Sequence, residues 1–137
     1  MNIIGLNIRL PRLKRTEKRK AERSPIYQTL FLDYHSPSHS KKGVAEGKDM
    51  SATGIRFACS TKFPKGTRLE LELKLPSEYG EKKIIRAQTH VIRCYKKLKQ
   101  NRYRIACRFD RLDAETRSEI QSFVAWLDER ERRYLYL

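Results

Sequence analysis

Nowhere in the 137 residues is there an apolar run approaching the ~20 that a membrane-spanning helix needs, so membrane insertion is not expected. Cysteine is scarce. Cys59, Cys94 and Cys107 are odd in number and none stands at CxxC spacing. That argues against a disulfide framework and fits a reducing compartment. The first ten residues lack a basic segment ahead of a long apolar stretch, so they do not read as a signal peptide, and a cytoplasmic protein is expected. No internal repeat is visible. Acidic residues are in short supply, 16 against 31 Lys and Arg, leaving a net charge of +15. Such an excess suits an anionic partner: a nucleotide, a nucleic acid, a membrane surface or an acidic protein.

The positive charge is uneven. Met1 to Arg23 holds eight Lys/Arg and two Glu, net +6, and the other 114 residues carry +9. Ile4, Leu6, Ile8 and Leu10 alternate with Gly5, Asn7 and Arg9, which suggests a short extended segment ended by Pro11. Arg12 to Arg23 has good helix formers but no apolar stripe, so it reads as an arm. The division expected is a basic arm over 1–23 and one folded unit over 24–137, a length that suits a single domain.

Behind Ser24-Pro25, alternation over Ile26 to His35 reads as a strand, and Ser36 to Ser40 as a turn. Lys41 to Lys48 is ambiguous, with a short strand around Val44 as one reading. Gly54 to Ser60 places Ile55, Phe57 and Cys59 on one face. Leu69, Leu71, Leu73 and Leu75 alternate with Glu70, Glu72 and Lys74, a strand with one dry and one wet side. Lys83 to Tyr95 is a long β segment with a bend or bulge expected inside, and Tyr103 to Phe109 alternates again. The period then changes. Asp113 can cap a helix, Glu115 suits its first turn, and Ile120, Phe123, Val124 and Leu127 share one helical face. About six short strands followed by one helix suggest an antiparallel barrel with a helix packed on it.

Two motifs stand together. Arg19 to Arg23 is an RxxxR just before the first of these strands, in an arm so basic that Arg15 and Lys18 can share its role. Asp49-Met50-Ser51-Ala52-Thr53-Gly54 is a DxSxxG leading into a strand. An arginine fork suits guanine O6 and N7 or phosphate oxygens. A carboxylate accepts from guanine N1–H and N2–H together. Ser51 offers a hydroxyl to a phosphate or to the loop backbone, and Gly54 allows a positive φ or a close approach. Arginines with one carboxylate describe a site for a guanine nucleotide carrying phosphates.

On these motifs, with the Pro64-Lys65-Gly66-Thr67 turn and the Tyr103 to Phe109 strand before a capped helix, the chain resembles the PilZ domain family over roughly Lys18 to Glu129. The resemblance implies a mainly β fold: a six-stranded antiparallel Greek-key barrel with a C-terminal helix. It also implies a receptor for cyclic di-GMP, with no cofactor, that signals to a downstream effector protein. Arg19 and Arg23 would grip guanine and phosphate, and Asp49, Ser51 and Gly54 would fall on the family's second motif.

Blander readings stand beside these. The arm also fits a solvated or nucleic-acid-binding tail. Asp49 and Ser51 also fit a turn in which side chains bond their own backbone. His35 and His39 are four apart, but in a Ser/Pro loop and not on a helix, so no metal site is expected. Ser51 as a nucleophile needs a base, and His90 is the one interior candidate, so no enzyme is expected. The rival to the receptor reading is a small basic barrel that binds RNA or DNA. Asp49 argues against it, since a carboxylate repels a phosphate backbone. Such barrels also expose aromatic ladders, to which Tyr95 and Tyr103 are candidates.

Overall fold

The leucine alternation organises the molecule. Leu69, Leu71 and Leu73 point inward and are almost wholly buried, while Arg68, Glu70 and Lys74 are exposed. Each such burial contributes about 1.5–3 kcal/mol, so a slip of one residue, which would turn all three outward, is strongly disfavoured. The computed structural model describes residues 24–25, 30–80, 83–96 and 101–135. Its strands are β1 (Ser24–Pro25), β2 (Phe31–Ser36), β3 (Lys41–Met50), β4 (Gly54–Cys59), β5 (Arg68–Lys74), β6 (Ile84–Lys96) and β7 (Tyr103–Phe109), followed by the helix α1 (Ala114–Leu135).

All pairings are antiparallel. The order β3-β2-β5-β6-β7-β4 closes through a β3–β4 pairing, so six strands make a barrel without open edges. The hairpins β2-β3-β4 are followed by β5, which returns to lie beside β2: the Greek-key order. The mainly β, six-stranded barrel with its C-terminal helix is therefore the architecture expected.

β3 is longer than the ambiguous Lys41 to Lys48 segment suggests. It runs ten residues, to Met50. Its inward positions include the small Gly43 and Ala45, so it shows no apolar alternation. A Cβ on Gly43 would lie 2.6 Å from Tyr34 Oη, so the small residue leaves room for a buried ring. Val44, on the outer face, is exposed. The bulge expected in the long β segment is present: the β6–β7 register shifts between Val91 and Arg93.

The helix lies against β1 and β6. Asp113 caps it, accepting from the Thr116 amide at 2.7 Å. Ile120, Phe123 and Leu127 enter the core, with Val124 and Trp126 partly buried beside them. Tyr79, from a 3-10 turn at Ser77–Tyr79, meets Phe123 and Trp126 edge-on at 5.2 and 5.3 Å. No helix among the described residues is long and apolar enough to cross a membrane. The arm over 1–23, including the segment Ile4 to Leu10, and the start of the strand read at Ile26 lie outside the described residues.

Candidate functional site

The site begins with an irregularity in one hairpin. Between β3 and β4 the partners run Glu46 with Ala58 and Gly47 with Phe57, then shift, so that Asp49 faces Arg56 and Met50 faces Ile55. Lys48 is the extra residue. A bulge of this kind re-aims the side chains that follow it. Here it sends Met50 into the core and leaves Asp49 on the outer wall beside Arg56. Asp49 is thus part of a strand, not of the loop where the motif alone would put it.

Arg56 grips the Asp49 carboxylate with its fork. Nε donates to Oδ1 at 3.0 Å and to Oδ2 at 2.9 Å, and Nη2 donates to Oδ2. The pair is half-sheltered, with the Asp49 side chain 13% and the Arg56 side chain 37% exposed. The hydrogen bonds to Asp49 raise the Arg56 pKa above its ordinary value.

The turn after Asp49 is built by Ser51. Its hydroxyl accepts from the amides of Thr53 at 3.2 Å and Gly54 at 3.3 Å, and the Ser51 amide donates to the Gly54 carbonyl at 2.9 Å. The same hydroxyl lies 3.2 Å from that of Thr53. Gly54 is required by close approach and not by positive φ: a Cβ there would overlap the carbonyl oxygen of Cys107 on β7. The neighbour it admits is therefore a strand.

β1 lies beside this hairpin. β2 pairs with β3 from Lys41 to Glu46, the Gly47 amide donates to the Leu30 carbonyl at 2.8 Å, and β1 then lies along β3, Ser24 opposite Met50 and Pro25 opposite Asp49. Residue 24 thus stands next to the DxSxxG hairpin. Arg15, Lys18, Arg19 and Arg23 lie outside the described residues.

Sequence reasoning missed the wall that continues from Asp49. The ladders set Arg56, Ala106 and Arg93 in one row and Ala58, Arg104 and Tyr95 in the next. Gly54, Arg108 and His90 make a third. Small residues floor the middle, and arginines flank them. Arg104 Nε is buried without a hydrogen-bond partner among the described residues. Strand parity alone could have placed Arg56 outward, but its meeting with Asp49 depends on the bulge. Tyr95 is exposed on this wall, whereas Tyr103 packs against the core, so the two do not form a ladder. His90 is committed to Asp110, 2.7 Å from its Nδ1.

The opposite wall is different. A recess of about 830 Å³ there is lined by Asp33, His35, Val44, Glu72 and Arg86. Its charges pair among neighbours, Asp33 with Lys74 at 3.3 Å and Glu72 with Arg86 at 2.9 Å. Among the described motif residues, none of Asp49, Ser51 and Gly54 lines it. The basic wall beside Asp49 is the better candidate for an anionic ligand.

A family model described as PilZ domain matches residues 17–126. No curated protein matches. Among solved structures, the chain is similar to the PilZ domain with c-di-GMP of YcgR from Escherichia coli, at 15% identity and a TM-score of 0.68, covering 86% of this chain and 97% of that one. It is also similar to the Bacillus subtilis inhibitor of motility MotI/DgrA (16% identity, TM-score 0.68, 85% and 52% covered). A third similar structure is the MrkH–c-di-GMP complex of K. pneumonia (20% identity, TM-score 0.67, 85% and 54% covered). The chain spans about half the length of the last two. With the family model matching most of its length, the chain belongs to the PilZ domain family.

Proposed function

We propose that this chain is a cytoplasmic, non-enzymatic receptor for cyclic di-GMP that passes the signal to an effector protein. The ligand is held between the arm arginines, Arg19 and Arg23 with Arg15 and Lys18 beside them, and the Asp49–Gly54 hairpin. One observation carries the reading. A largely buried carboxylate, Asp49, stands on a basic outer wall next to β1, the strand that directly follows Arg23 in the sequence. A guanine edge needs such an acceptor, and phosphates need the arginines around it. Family membership and the two c-di-GMP complexes among the similar structures support the same ligand.

Calorimetric titration tests this. Cyclic di-GMP should bind and be preferred over cyclic di-AMP, whose adenine offers an acceptor where guanine offers N1–H. A charge-assisted contact contributes about 1.5–3 kcal/mol, so Arg19→Ala or Arg23→Ala should weaken binding about tenfold or more. Unchanged affinity in both variants would refute the site. Salt separates the rival reading: neutralising 6–10 phosphates of duplex DNA costs about 10³–10⁵ in affinity between 50 and 200 mM salt, whereas a ligand with two phosphates gives a shallow slope. Tighter binding to DNA or RNA than to cyclic di-GMP would favour the nucleic-acid barrel.

A further inference from the structure

We propose that Arg56 determines the base specificity of this site by holding the Asp49 carboxylate in the orientation that faces a guanine edge. The inference rests on the cyclic di-GMP reading and adds to it a residue outside both motifs.

The geometry is that of a positioning residue. The terminal torsion of an aspartate is broad, so a carboxylate on an outer wall has no fixed plane of its own. Nε and Nη2 of Arg56 span both oxygens and set that plane. The bulge makes Asp49 and Arg56 direct cross-strand partners, which fixes the fork through the backbone as well as through the side chain. Lys48, the nearest other cation on β3, is engaged with Glu46 at 3.2 Å.

Charge supplies the second argument. A bare carboxylate would repel a ligand carrying two phosphates. Paired with Arg56 it is locally neutral, so its hydrogen-bonding edge comes without that repulsion. A lysine could supply the charge but not the planar two-point grip.

The experiment titrates the full chain, Arg56→Lys and Arg56→Gln, each with and without Asp49→Asn, with cyclic di-GMP and with cyclic di-AMP. Thermal melting of every variant is recorded alongside. Arg56→Gln should weaken cyclic di-GMP binding about tenfold and shrink its preference over cyclic di-AMP by a similar factor. Arg56→Lys, which keeps the charge without the fork, should retain more affinity but still lose selectivity. In the Asp49→Asn background, Arg56→Gln should change the preference by less than about twofold, because the two act as one unit. If Arg56→Gln fails to fold, Arg56→Lys decides by its selectivity. An unchanged preference in the folded Arg56 variants overturns the inference and leaves the receptor reading standing. A parent chain that binds neither nucleotide overturns that reading and the inference with it.

Discussion

Gly54→Ala should damage the fold before it damages any ligand contact. Gly54 opens β4 opposite Arg108, and the ideal position for a Cβ overlaps the Cys107 carbonyl oxygen. That oxygen belongs to a backbone held on both sides by ladders, β4 on one and β6 on the other, so it cannot swing away as a side chain can. Relief requires the ends of β4 and β7 to part. The bond from the Phe109 amide to the Thr53 carbonyl, 2.9 Å, lies at that end. Overpacking of this kind costs about 1–3 kcal/mol, and a lost hydrogen bond about 1 kcal/mol more. The sum is about 2–4 kcal/mol. At this size 1 kcal/mol moves the melting temperature by about 3–5 °C, so a fall of about 6–20 °C is expected by calorimetry or circular dichroism. Gly66→Ala is the control. Gly66 has φ +91° and open space around its Cβ position, so its cost is backbone strain alone, about 1 kcal/mol. A Gly54→Ala protein that melts within about 2 °C of the parent, or no lower than Gly66→Ala, would refute the close-approach argument.

The helix cap should be visible in acid. The Thr116 amide holds the Asp113 carboxyl below its usual range. A depressed folded value contributes stability above the unfolded pKa of about 3.9 and loses it as pH falls through the folded value. Asp113→Asn keeps a capping oxygen, so melting curves collected from about pH 5 down to pH 2 should fall less steeply for it than for the parent. Identical slopes would remove Asp113 from the account. Thiol labelling should follow burial. Desolvation pushes the Cys107 thiol up to about 12, so at pH 8 its thiolate is on the order of 10⁻⁴ of the population. A maleimide at that pH should reach the partly exposed Cys94 first and Cys107 only on unfolding, as located by peptide mass spectrometry. Rapid native labelling of Cys107 would contradict the buried placement.

Much of the architecture was legible because period-two burial is a local property. Leu69 to Leu75 and Tyr103 to Phe109 announce their inner faces residue by residue, and Asp113 with Ile120, Phe123 and Leu127 announces the helix. Where burial depends on a partner's shape, the signal vanishes. β3 looked ambiguous because small residues, Gly43 and Ala45, face inward where Tyr34 fills the space.

The sequence by itself determined the charge, the strand faces, the capped helix and the motif residues Asp49, Ser51 and Gly54 in their order. Tertiary structure alone decided what those residues touch. The β3 bulge turns Asp49 to Arg56, and the passage of β7 makes Gly54 obligatory. Closure of the barrel brings Arg93, Arg104 and Tyr95, tens of residues downstream, onto the same wall. The physical reason is that each depends on a register between strands. Register is set by the whole closed sheet, and no local run of residues encodes it.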